Sequence, residues 1–159
     1  MPSPRGLWPF ALHCYAAPGV AAHCLALQAQ GADVCLLLCG LWLERRGVAS
    51  TPARLAALRA QASAWQAEVV APLRRLRQAW KPAAAGDESL QALRARLQAL
   101  ELDAERVLLE RLERHCAGWV CGEPAATGWL EALLPEGATL GEAPAALRAA
   151  GQAAHSLAG

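Results

Sequence analysis

The sequence predicts an all-α fold, and three observations lead there. Ala, Leu and Arg dominate, Ile and Asn are absent and Lys81 is the single lysine; residues that suit strands are scarce and those that suit helices abundant. Two long segments, 52–81 and 87–116, repeat apolar residues at steps of three and four. Between Leu7 and Gly47 only Asp33, Glu44, Arg45 and Arg46 carry full charge, and a helix apolar on nearly every face must be enclosed. The expectation is a compact bundle of about five helices in residues 1–118, with the third buried at its centre. Residues 119–159 are expected to form a loosely attached, peripheral tail, partly disordered or a frayed helix.

The elements follow in order. Residues 1–6 read as a short disordered start. Leu7 to Ala17 reads as the first helix, with Pro9 in its first turn, where proline is tolerated. Pro18-Gly19 breaks the chain. The second helix runs from Val20 to Gln30, with Gly31 suited to the position just past its end. Asp33 is placed to cap the third helix, Val34 to Arg46, which Gly47 ends and whose last turn holds Arg45 and Arg46.

Ser50-Thr51-Pro52 is a hydroxyl cap followed by proline at the first helical position. The fourth helix then extends to about Lys81 with the stripe Leu55, Leu58, Ala62, Trp65, Val69, Leu73, Leu76 and Trp80. Pro72 should kink it. Residues 81–86 read as a linker. Asp87 or Ser89 opens a fifth helix reaching about Cys116, with the stripe Leu90, Leu93, Leu97, Leu100, Ala104, Val107 or Leu108, and Leu112. Glu101, Asp103, Glu105, Arg106, Glu110, Arg111, Glu113 and Arg114 occupy its outer face. Two long amphipathic helices with a short connection predict an antiparallel hairpin.

Net charge is +1, which argues against a dedicated DNA binder. The apolar run Val34 to Leu43 is about half the roughly 20 residues a membrane-spanning helix needs. Pro9 and His13 interrupt the apolar N-terminus, and no small-residue cleavage site follows. The expectation is a cytoplasmic protein from a GC-rich bacterium, its six cysteines mostly small buried hydrophobes.

The stretch from Leu7 to Gly47 resembles an uncharacterised bacterial family, one of the domains of unknown function. The residues that carry the resemblance are Leu7-Trp8-Pro9-Phe10, Tyr15, Gly19-Val20 and Cys24-Leu25-Ala26-Leu27-Gln28. They continue with Gly31 to Leu38, Trp42-Leu43 and Arg46-Gly47. The similarity extends through Trp65, Val69 to Arg74 and the acidic segment Glu101 to Leu109, roughly the first two-thirds of the chain. It implies a small helical cytoplasmic protein and no particular activity.

Candidate sites are few. His13-Cys14, His23-Cys24 and His115-Cys116, with Cys121 near the last, would bind metal or supply a nucleophile only if the fold made them converge. Their spacing matches no ligand or nucleophile motif, so buried thiols and ordinary histidines are the simpler reading, with no metal, cofactor or catalytic residue assigned. Asp33 is either a helix cap or a buried anchor paired with an arginine such as Arg74. Arg74, Arg75, Arg77 and Lys81, with Trp80, form a basic end. The simpler reading is pairing with helix-five acids among Glu101, Asp103, Glu105, Glu110 and Glu113, or a solvated face, and the sharper one is a site for a partner or an anion. Interleaved aromatics are too few for an RNA platform. The reading is a non-catalytic interaction or accessory protein with an unidentified protein partner. The alternatives are a small metal- or thiol-dependent enzyme and a binder of an apolar ligand between helices.

Overall fold

A computed structural model describes residues 6–123 and 128–156; the expectation for residues 1–5 lies outside them. The described residues are helical with no strand. In order, the helices are α1 (Leu7–Ala16), α2 (Val20–Ala29), α3 (Val34–Arg45), α4 (Pro52–Trp65), α5 (Ala71–Ala84), α6 (Glu88–Cys116), α7 (Trp129–Leu133) and α8 (Ala143–Ser156). A π turn, Gln66–Val70, joins α4 to α5 without a break. The described chain therefore has seven helical rods where about five were expected. No helix among the described residues is long and apolar enough to cross a membrane; α1 and α2, taken together, are bent by 101°.

The ends of α2 and α3 show why the N-terminal third folds as it does. Gly31 and Gly47 have φ of +93° and +64°, the left-handed geometry that glycine adopts without a Cβ penalty. At each, the next amide bonds back into the helix: Ala32 N–H to Leu27 O, and Val48 N–H to Leu43 O, both at 3.0 Å. Asp33 caps α3, its Oδ1 accepting the Leu36 amide at 3.1 Å. Thr51 caps α4 and Asp87 caps α6 in the same way. The first amide of α1 is satisfied from far along the chain: Leu7 N–H donates to Glu113 Oε1 at 2.7 Å, a carboxylate at the positive end of the helix.

Helix α3 is the centre, and every residue from Cys35 to Glu44 is buried. Helices α1, α6, α7 and α8 pack around it. The C-terminal segment is not loosely attached, contrary to expectation. Trp129 is fully buried, and its indole N–H donates to Val48 O at 2.8 Å. Leu130, Leu133, Leu147 and Ala150 join the core. The physical reason lies in α3 itself. Glu44 is only 3 % exposed, and a buried carboxylate needs compensation. It comes from the tail: Arg148 donates to both Glu44 oxygens at 3.1 and 3.0 Å, and the Leu130 amide to Oε1 at 3.3 Å.

Two boundaries also differ from expectation. Helix α5 continues through Pro82 to Ala84, so the connection to α6 is only residues 85–87. Pro82 has no N–H, so this last turn lacks one i→i−4 hydrogen bond. Pro72, where a kink was expected, lies in the first turn of α5, directly after the π turn. A π turn inserts about one extra residue and rotates everything beyond it by roughly 100°. The buried row therefore passes from Leu58 and Ala62 to Val70, and not to Val69. Beyond the turn the side facing α6 carries Arg74 and Arg77, while Leu76 is left 42 % exposed.

Candidate functional site

A cavity of about 650 Å³ opens between α1, α2, the start of α3, the π turn and α6. Its wall combines apolar residues, among them Trp8, Ala11, Leu12, Leu38, Leu102 and Leu109, with the polar groups of Tyr15, Gln28, Asp33, Gln66, Arg74 and Glu105.

Local structure explains each polar position. Asp33 is at the cavity because it caps α3. Gln66 opens the π turn, and its Nε2 donates to Asp33 Oδ1 at 3.3 Å. Arg74 follows from the phase shift beyond that turn. Its Nε donates to Glu101 Oε1 at 3.0 Å and its Nη2 to Glu105 Oε1 at 3.2 Å. Arg77 closes the other side of Glu101, Nε to Oε2 at 2.5 Å. With its amide oxygen turned toward the guanidinium, Gln28 accepts from Arg74 Nη2 at 3.0 Å.

Glu101, assigned by periodicity to the outer face of its helix, is 6 % exposed. It sits in the buried row of α6, between Leu97 and Ala104. That spacing was visible in the sequence, but a leucine-only stripe through Leu100 fits the same steps; Leu100 is in fact 51 % exposed. The burial is tolerable because two guanidiniums enclose the carboxylate.

The carboxyl groups are tuned apart. Burial pushes Asp33 up from its ordinary value, against the pull of the Leu36 amide, Gln66 and the more distant Arg74. Burial raises Glu105 as well, and the Arg74 charge only partly offsets it. Burial acts in the same sense on Glu101, but there the hydrogen bonds from Arg77 and Arg74 outweigh it and hold the carboxyl below its usual value. The proton-accepting ends of the cluster are thus Asp33 and Glu105, both on the cavity.

The sequence-predicted basic end divides. Arg74 and Arg77 face inward on Glu101. Arg75 and Lys81 are exposed and Trp80 is half-buried. Asp33 is a helix cap and also lines the cavity; no hydrogen bond joins it to Arg74 among the described residues. The pairing of this basic end with helix-five acids was legible in the sequence, and Glu101 and Glu105 are the acids it uses. Gln28 and Gln66 were not singled out as site residues, since glutamine on a helix ordinarily marks the wet face.

The His-Cys pairs do not assemble. Among the described residues no group of three or more His, Cys, Asp or Glu side chains has the geometry to hold a metal ion. His13 and His115 are exposed while the adjoining Cys14 and Cys116 are buried, as neighbours on a helix must diverge by roughly 100°. Burial, with the nearby Cys24, pushes the Cys14 thiol up to about 12, and burial pushes Cys24 up to about 11. A hydrogen bond with Cys116 and then burial raise Cys39. Thiols held protonated are poor nucleophiles.

No curated protein and no solved structure matches the chain. A protein family described only as of unknown function, DUF2390, matches residues 6–112, a span from the first turn of α1 to the last buried leucine of α6 that contains every residue lining the cavity. The helices that build the cavity are those the match covers, and the chain belongs to the DUF2390 family.

Proposed function

We propose that this chain is a non-catalytic binder of a small, mostly apolar molecule, held in the cavity between α1, α2, α3 and α6. The observation that carries the reading is the cavity itself. At about 650 Å³ it falls within the roughly 300–1,000 Å³ of small-molecule sites, and it has their composition of apolar walls and a few convergent polar groups. Most of its polar groups already hold one another in place, which suits recognition. The raised thiols weigh against cysteine catalysis.

Native mass spectrometry of protein purified from its own host under reducing conditions tests the reading. A co-purified small molecule, lost in an Ala71→Trp variant that fills the cavity, is the expected result. A bare chain that also fails to bind Nile red saturably would overturn it.

A second reading, an accessory factor that meets a protein partner, draws on the α5–α6 hairpin. There Arg75 and Lys81 are exposed beside half-buried Trp80. Leu76, Leu93 and Leu100 are 42, 49 and 51 % exposed. Capture of one stoichiometric partner that Arg75→Glu/Lys81→Glu releases supports it, and a persistent lone monomer in host lysate refutes it.

A further inference from the structure

We infer that the ligand of this cavity carries a cationic head, an amine or amidine, received by Asp33 and Glu105; the inference rests on the reading of the cavity as a binding site. Asp33, Glu105 and Arg74 line the cavity, and behind them Arg74 and Arg77 both bind Glu101, so three carboxylates stand against two guanidiniums. One negative charge is left over. Arg77 closes on Glu101, and Arg74 is shared between Glu101 and Glu105. No hydrogen bond joins an arginine to Asp33 among the described residues, so the charge deficit falls on Asp33 and the half-served Glu105, the two acids that line the cavity.

The other titratable groups in the wall do not cancel it. Tyr15 and the thiols of Cys24 and Cys35 are all raised by burial and stay neutral near pH 7. Arg106, outside the wall, lies over the Trp8 ring and is paired with Glu110. In the open cavity, water solvates the excess charge. A ligand that fills the space expels that water, and a carboxylate stripped of water needs a cation or strong donors in return.

The alternatives fit less well. An anionic head would need Arg74, whose donors are already directed to Glu101, Glu105 and Gln28. A neutral apolar ligand would bury the excess charge with nothing to offset it. An alkyl ammonium supplies three N–H donors and the missing positive charge.

The test uses the full chain and three probes of equal length below their micelle concentrations, decylamine, 1-decanol and decanoate, titrated calorimetrically at pH 7.5. Decylamine is expected to bind about tenfold or more tightly than either other probe, the scale of one unscreened charge contact. In Glu105→Gln and in Asp33→Asn/Glu105→Gln, checked for a cooperative thermal transition, the amine-to-alcohol ratio should fall toward one. In Ala71→Trp, amine binding should disappear. Decanol or decanoate binding as tightly as the amine overturns the inference and leaves the cavity reading standing. Amine binding that survives Ala71→Trp overturns the inference, because the site is then elsewhere. If none of the three probes binds, both readings fail.

Discussion

Replacing Arg148 with alanine removes the contact that ties the C-terminal helix to the core, together with an exposed pair to Glu131 at 2.7 Å. Glu44 is 3 % exposed, and its carboxylate receives three hydrogen bonds, two from Arg148 and one from the Leu130 amide. Arg148→Ala leaves that carboxylate with the amide alone. Breaking one side of a buried pair typically costs about 3–5 kcal/mol. The Arg148 side chain is 31 % exposed, so water can reach the vacated side, and about 2–3 kcal/mol is the better figure for this pair. For a chain of this length that corresponds to a fall in Tm of roughly 5–10 °C. Urea unfolding followed by circular dichroism measures it. Two comparisons sharpen the result. Arg106→Ala breaks an exposed pair, 53 and 45 % exposed at its two side chains, and should lose no more than about 0.5 kcal/mol. Glu44→Leu/Arg148→Leu removes both charges and should recover much of the single-variant loss. An Arg148→Ala change within about 0.5 kcal/mol of wild type would mean that the tail is peripheral after all.

Other consequences are equally measurable. Asp33→Ala loses the cap to Leu36 and should cost about 1 kcal/mol, whereas Asp33→Asn keeps an acceptor and should lie within about 0.5 kcal/mol of wild type at pH 7, since burial already penalises the ionised acid; equal losses for the two would refute the assignment. The pH dependence has two opposed parts. Glu105 has its folded value raised, so the native state binds the extra proton and stability falls as pH rises through the window just above 4.5. Glu101 has its folded value lowered, so its contribution is present above 4.5 and is lost as pH falls below it. Glu105→Gln should flatten the first slope and Glu101→Gln the second, read from urea midpoints between pH 3 and 7. Gly47→Ala combines φ of +64° with a Cβ that would collide with the Glu123 carbonyl oxygen and the Gly122 backbone, and should cost more than about 2 kcal/mol. Gly86→Ala meets nothing within 4 Å and should be neutral or stabilising by up to about 1 kcal/mol; similar losses at both glycines would count against the packing of residues 122–123 on Gly47.

How much of the fold was legible follows the range of the forces involved. The helix starts at Asp33, Thr51 and Asp87 and the ends at Gly31 and Gly47 were readable because a cap involves neighbours three or four residues away. The buried character of α3 was equally plain, since a segment apolar on all faces has no wet side to offer.

The tertiary structure decided what depends on partners far along the chain. Nothing local to Glu44 names Arg148, and nothing local to Trp129 names the Val48 carbonyl; so the tail looked detached until those pairings were seen. The π turn had no local signature beyond Pro72, yet its extra residue turned Arg74 and Arg77 from a wet face onto Glu101. The cavity is the joint product: its apolar wall is written in helical periodicity, while its acids reach it through a cap, a phase slip and a buried ion cluster. Periodicity and capping are properties of a single helix, and the sequence determines them alone. The compensation of buried charge is settled only between helices, which is why the site lay beyond the sequence and the helices did not.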